Sequence, residues 1–338
     1  MRKVSIKDIA MKAGVVPSTV SLVLNGKSKQ MRISDELAEK IKAIAEQTGY
    51  IPNQTAVSLR TGRSNILGLI VEDISNVFFA SLAKVIEDEV NSLGFRIVYC
   101  STDNDDEKGC ELIKVLLHRQ VDGFLITPSA GMMNEVKRLV EGKKPVVLMD
   151  RYFPQLNSSY VLVDNFSGVQ QGVEYLIEKG HRNIAYITND LDQNQMHERE
   201  HAYREILQKH KLPVNEAQIL RLPYEIKSEE AVVKMTEFLR SSPQLDAAFF
   251  ATNYLGVFGL ESIQQLGYVI PRDLAIVCFD DHALFRLMAP GITCIRQPIE
   301  AIASTAVDFL LQQFADTAPP PEQLQELKKP TLVIRGSV

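Results

Sequence analysis

Ser5-Ile-Lys-Asp-Ile-Ala-Met-Lys-Ala-Gly14-Val-Val-Pro17-Ser-Thr-Val-Ser-Leu-Val-Leu-Asn25 encodes two short helices around a tight turn. Ser5 and Asp8 form an [ST]-x-x-[DE] helix start. Ile6, Ile9, Ala10 and Ala13 then recur at the spacing of one apolar helix face. Gly14 ends that helix, since glycine tolerates the left-handed cap conformation. Pro17 opens the second helix at the position where its missing N–H matters least. In this helix Val20, Val23 and Leu24 point inward, while Ser18, Ser21, Leu22 and Asn25 fall on the other side. Two short helices joined by a glycine turn describe a helix-turn-helix whose second helix is free to enter the major groove of DNA. A third helix follows, with Ser34 as N-cap, Asp35 and Glu36 in its first turn, and Leu37, Ile41 and Ile44 as its inner stripe.

Charge supports a polyanion partner at this end. Residues 1–62 hold ten Lys/Arg against five Asp/Glu, whereas the remainder holds twenty-seven against thirty-seven, within a chain whose net charge is −5. A basic head on an acidic body places the nucleic-acid contact at the N-terminus. The 338 residues suggest two to three domains, and 45% hydrophobic content is enough for a large core. No run of about 18 apolar residues indicates a membrane span. Met1-Arg-Lys-Val-Ser-Ile-Lys7 has no apolar stretch of a signal peptide after its charges. Cys100, Cys110, Cys278 and Cys294 lack C-x-x-C spacing and read as thiols in a reducing cytoplasm, not as a disulfide or metal site.

From residue 65 onward, short β-branched runs alternate with amphipathic stretches. Strand candidates are 66–71, 95–100, 121–127, 146–149, 160–163, 184–188, 247–251 and 274–279; helix candidates include 79–93, 168–179, 198–209 and 254–266. This alternation indicates parallel sheets covered on both faces, and its length calls for two α/β lobes. No G-x-G-x-x-G or P-loop opens any of the helices, and no nucleophile elbow or H-E-x-x-H organises the carboxylates and histidines, so neither a nucleotide cofactor nor catalysis is indicated. His197, Glu198 and His201 have helical spacing, but they read as a polar helix surface in preference to a metal site.

The segments Ser5-Ile-Lys-Asp-Ile-Ala10, Ala13-Gly-Val15, Ser18-Thr-Val-Ser21 and Val23-Leu-Asn25, with Tyr50-Ile-Pro-Asn53 and Leu59 beyond them, resemble the N-terminal signature of the lactose-repressor/galactose-repressor (LacI/GalR) family of bacterial transcription regulators. Val16 stands where that family usually has Ser, so the second helix lacks a capping hydroxyl. The resemblance implies an all-α helix-turn-helix head over 1–50, a hinge helix over 51–62, and a periplasmic-binding-protein-like core of two Rossmann-like lobes over 63–338. With chain crossings expected near Asp164, Ile292 and Pro319–Pro321, lobe 1 would comprise 63–163 and 292–319, and lobe 2 would comprise 164–291 and 320–338. It further implies a cytoplasmic homodimer on a pseudo-palindromic operator, controlled by a small sugar-like effector, with no cofactor, metal or membrane partner. The competing class is the sugar-binding protein of a transporter, whose fold would match the core but not the DNA-reading head.

Operator contacts are expected from Ser5, Pro17, Ser18, Ser21 and Leu22, with Thr19 and Asn25 nearer the phosphates. Leu22 offers only apolar contact, as to a thymine methyl, where the family often has Arg or His; alternatively it packs on the first helix. Asn53 to Arg60 resembles the hinge, in which Leu59 matches the minor-groove wedge. Effector contacts are expected at strand ends. Asp73, Phe78 and Phe79 lie in a segment resembling the family's D-x-x-N-P-F-F, with Val77 replacing Pro. Arg199, Asn253 and Asp280 match family effector residues, and Asp150 and Tyr224 are further candidates. Phe78 and Phe79 are alternatively core residues, and Arg199 alternatively a surface ion-pair partner. Tyr254 replaces the family's Asp, which favours a more aromatic pocket or a ligand unlike a plain hexose.

Overall fold

The computed structural model describes residues 4–50, 62–315 and 317–338. The chain divides into two units, Met1–Ser64 and Asn65–Val338.

The first unit contains helices α1 (Ile6–Ala13), α2 (Pro17–Leu24) and α3 (Asp35–Gln47). Ser5 and Asp8 cap α1 reciprocally: the Ser5 amide donates to Asp8 Oδ2 at 2.8 Å, and the Asp8 amide to Ser5 Oγ at 3.4 Å. Gly14 closes α1 with φ of 76°, a conformation that costs other residues a Cβ clash. Val16 supplies no side-chain cap to α2, which starts on Pro17 instead. Ser34 Oγ accepts from the Leu37 amide at the start of α3. Ile9, Val20, Val23 and Ile41 form the centre of the small core, and alanines 10, 13, 38 and 45 let the helices approach closely. The inner stripe of α3 is therefore rotated from the expected one. Ala38 and Ala45 join Ile41 inside, and the bulkier Leu37 and Ile44 flank them half-buried.

The second unit is built on two six-stranded sheets. The first has the order β11-β5-β4-β3-β1-β2, from β1 (Ile66–Val71), β2 (Arg96–Ser101), β3 (Gly123–Ile126), β4 (Val146–Met149), β5 (Ser159–Val163) and β11 (Gln325–Lys328). All its pairings are parallel. The second has the order β12-β10-β9-β8-β6-β7, from β6 (Ile184–Asp190), β7 (Ile219–Pro223), β8 (Ala247–Phe250), β9 (Ala275–Phe279), β10 (Thr293–Arg296) and β12 (Thr331–Val333). Here only β12 runs antiparallel, pairing Ile295 with Leu332. Helices α4 (Val77–Ser92), α5 (Asp106–His118), α6 (Met133–Glu141) and α12 (Ile299–Gln312) cover the first sheet. Helices α7 (Asn165–Glu178), α8 (Asn194–Lys209), α9 (Ser228–Ser241) and α10 (Asn253–Leu266) cover the second, and the short α11 (Ala283–Leu287) follows β9. Both faces of both sheets are apolar, as parallel sheets require.

Two of the expected chain crossings move. The first lies at Asp164, between β5 and α7. The second follows β10, because Thr293–Arg296 pairs with β9 in the second sheet instead of opening lobe 1 at Ile292. The third falls between β11 and β12, because Gln325–Lys328 extends the first sheet beside β5. The segment after the prolines at 319–321 belongs to that first sheet. It carries a polar edge strand whose single apolar side chain, Leu327, is 58% exposed. No helix among the described residues is long and apolar enough to cross a membrane.

Candidate functional site

In the head, the outward face of α2 carries Pro17 and Ser18 exposed, with Thr19, Ser21 and Leu22 half-buried. Asn25 turns back on its own helix, donating from Nδ2 to the Ser21 carbonyl at 2.5 Å. Leu22 is not among the side chains packed into the head's core. Ser5 is engaged in its capping box. Asn53, Leu59 and Arg60 lie outside the described residues.

In the second unit, the C-terminal ends of β1, β4, β6, β8, β9 and β10 converge on a narrow cleft between the lobes. This is the position at which open α/β sheets place ligands. Asp150, Arg199, Asp280, Phe78 and Phe79 all line it. Asp73 does not: its carboxylate closes a local turn, accepting from the Ser75 amide at 2.8 Å and the Ser75 hydroxyl at 2.7 Å, and it faces a neighbouring hollow. Tyr224 and Asn253 border that hollow too, yet both bond across the lobes. Tyr224 Oη donates to Glu72 Oε1 at 2.9 Å, and Asn253 Nδ2 to Asn76 Oδ1 at 3.3 Å.

Arg199 lies on α8 and is 3% exposed, which removes the surface ion-pair reading. Its Nε donates to Asn165 Oδ1 and its Nη1 to the Ala251 carbonyl, both at 2.8 Å, and its guanidinium stacks 3.7 Å from the Phe279 ring centre. These partners are neutral and fix its plane. Asp150 and Asp280 both follow strands, with φ of 64° and 70°. Aspartate tolerates this left-handed backbone better than most residues, and such strain concentrates where a side chain must be aimed. Gln297 Nε2 holds Asp280 Oδ1 at 2.6 Å. Burial pushes the Asp150 carboxyl up to about 7; the facing Asp280 and Glu198 add to this, and Arg199 opposes it. Burial also raises the carboxyl of Asp280, against the pull of Arg199 and Gln297.

Phe78 and Phe79 resolve as both alternatives at once: they are core residues of lobe 1 and they form a wall of the cleft. Tyr254 is part of the cleft and donates to Asn189 Oδ1 at 2.6 Å, so an aromatic hydroxyl stands in place of a carboxylate. Gln193 and Gln195 also line the cleft, and Gln193 Nε2 reaches across the lobes to Asn104 Oδ1 at 2.8 Å.

Glu72 and Arg151 belong to no motif in the sequence. Both are buried in the cleft and they form an ion pair. Arg151 also gives Nε to Asp150 Oδ2 at 3.2 Å and Nη1 to Asn104 Oδ1 at 2.9 Å. Their only signal is place: each is a charged residue directly or closely following an apolar strand, the position that becomes a ligand-facing strand end. By contrast, His197, Glu198 and His201 do not gather. They pair with Asp192, Asn165 and Glu205, and the described residues contain no metal-ligating cluster.

Comparison with known proteins matches residues 5–53 to the model of bacterial regulatory proteins, lacI family, and residues 173–338 to a periplasmic binding protein-like domain. The HTH-type transcriptional regulator DegA of Bacillus subtilis is 31% identical over 307 residues, covering 89% of each chain. The ribose operon repressor of Haemophilus influenzae is also 31% identical, covering 99% of this chain and 98% of that one. Among solved structures, the lac repressor dimer bound to operator and the anti-inducer ONPF superposes with a TM-score of 0.84 at 21% identity, covering 99% of both chains. The complex of the transcriptional regulator CelR with cellobiose matches with a TM-score of 0.72 at 26% identity, covering 99% of this chain and 100% of that one.

Proposed function

The chain belongs to the lacI family of bacterial regulatory proteins, a family of helix-turn-helix transcription regulators and not of enzymes, and on that premise we propose that it is a repressor of carbohydrate-use genes whose operator affinity is set by a small sugar-like effector. The observation that carries this reading is the cleft. Arg199, Asp150 and Asp280 bring a planar donor and two carboxylates together beside Phe78, Phe79 and Tyr254. Sugar hydroxyls need such paired donors and acceptors, and the C–H face of the ring needs an aromatic wall. Ribose repressors among the relatives and a cellobiose-bound neighbour support the ligand class.

On DNA, α2 lies in the major groove and reads bases through Ser18, Ser21 and Leu22, while basic side chains of the head meet phosphates. One recognition helix per half-site requires a homodimer on a pseudo-palindromic operator. Leu59 acts as the minor-groove wedge, and Asn53 and Arg60 are further DNA contacts of the hinge. The effector changes the angle between the lobes and so shifts the population competent to hold both half-sites.

Genomic binding-site selection with the full chain, followed by titration at several salt concentrations, tests the DNA part. Specific affinity should fall steeply with salt as counterions are released. A fragment beginning at Asn65, a compact unit of its own, should keep effector binding and lose the operator. Operator binding by that fragment would refute the assignment. A thermal-shift screen of sugars tests the effector part, because a ligand of the folded state raises the melting temperature.

A further inference from the structure

We propose that Glu72 sets the charge class of the effector, restricting the cleft to uncharged polyhydroxy ligands and excluding sugar acids and sugar phosphates; this rests on the cleft being the effector site. Two guanidiniums are buried there, and either would otherwise be a natural receptor for a carboxylate or phosphate. Arg151 is fully committed. Glu72 takes one terminal nitrogen, Asn104 the other at 2.9 Å, and Asp150 takes Nε at 3.2 Å. Glu72 itself is 5% exposed and is held in place from the opposite lobe by the Tyr224 hydroxyl at 2.9 Å. The remaining guanidinium, Arg199, has neutral contact partners, but it is answered through space by Asp150 and Asp280.

In the buried cleft Glu72 and Asp280 thus answer the two guanidiniums, and Asp150, pushed up to about 7, adds part of a third negative charge at neutral pH. An anionic ligand would bring a further negative charge into a nearly dry site with no uncommitted cation to receive it, and desolvation makes that placement unfavourable. Hydroxyl groups meet no such barrier: each donates to a carboxylate and accepts from Arg199. Removing the charge of Glu72 while keeping its shape leaves the charge of Arg151 less fully answered, although Asn104 and Asp150 still hold it, and shifts the preference towards anions.

The test uses the full chain and its Glu72→Gln variant in calorimetry with matched probes: D-glucose against D-glucuronate, and D-sorbitol against D-gluconate. The native chain should bind the uncharged member of a pair at least tenfold more tightly. In Glu72→Gln the ratio should move at least tenfold towards the anion, and a further Arg151→Gln change should abolish that gain. Tighter binding of the anion by the native chain, or an unchanged ratio in the variant, overturns the proposal. If no probe binds, acetate decides the role of Glu72, while the sugar reading itself is left to the thermal-shift screen. Sodium acetate, compared with sodium chloride at equal ionic strength, should raise the melting temperature of Glu72→Gln and not that of the native chain; equal responses overturn it.

Discussion

Asp150→Asn should make the core more stable at alkaline pH and remove part of its pH dependence. The carboxyl has an ordinary value of 3.8 and is pushed to about 7 by burial in the cleft. A raised folded value means that the native state binds the proton more tightly than the unfolded chain. The stabilisation is therefore complete below pH 4 and is lost as pH rises through about 7. That interval corresponds to a ceiling of roughly 4 kcal/mol. The Nε of Arg151, 3.2 Å from Asp150 Oδ2, favours the ionised form and trims the effect, so about 1–3 kcal/mol is expected. Urea unfolding of both proteins at pH 5 and pH 8 isolates the effect. Any loss of contact that is independent of pH cancels when the difference at pH 5 is subtracted from that at pH 8. The Asn variant should gain about 1–3 kcal/mol on the native chain over this range. Parallel pH profiles, or a native chain that gains stability relative to the variant as pH rises, would show that Asp150 is ionised and well accommodated throughout.

Three further outcomes are expected. Arg199→Ala or Asp280→Ala should each cost about 2–5 kcal/mol of effector affinity, mostly by leaving a buried polar partner unmatched, while effector-free operator affinity changes little; calorimetry with unaltered affinity in both would contradict the pocket. Leu22→Arg should shift base preference at one half-site position from T towards G by about 1–3 kcal/mol in a binding-site selection, and a folded variant with an unchanged preferred site would remove Leu22 from the groove. Gly259→Ala should destabilise by about 1–3 kcal/mol in urea, although alanine is normally the better helix former by about 0.5–1 kcal/mol. The added Cβ would stand 2.2 Å from the Phe250 ring, so a stabilised variant would mean that the ring moves aside freely.

The head was legible in the sequence because its signals are local. A serine three residues before an aspartate, a glycine after an apolar stripe and a proline at a helix start each act within one turn. The βα alternation was legible for the same reason: strands such as Ile66–Val71 are apolar on both faces. The edges were not. Residues 325–328, Gln-Glu-Leu-Lys, are half-buried except for the exposed Leu327 and pair with β5 alone, so no apolar alternation marks this strand in the sequence. In the cleft, Arg199 and Asp280 stand at helix and strand-end positions that the resemblance marks in the sequence. Glu72 and Arg151 escaped because an ion pair between residues so far apart in sequence leaves no spacing to detect. Asp73 is the opposite case, since a strand-end position does not decide whether a carboxylate faces the cleft or bonds within its own turn.

The interleaving of the lobes has a consequence for how the protein is made. The first sheet gains its outer strand only at Gln325–Lys328 and the second only at Thr331–Val333, so both stay incomplete until these residues have left the ribosome. A nascent chain therefore carries two open sheet edges at once, along β5 and β10, during the period when unpaired strands are most prone to mispair. A message that ends before Gln325 yields neither a finished lobe 1 nor a finished lobe 2. Such a product is a substrate for proteases and chaperones. The fold in this way couples completion of both lobes to two short strands that lie close together in sequence.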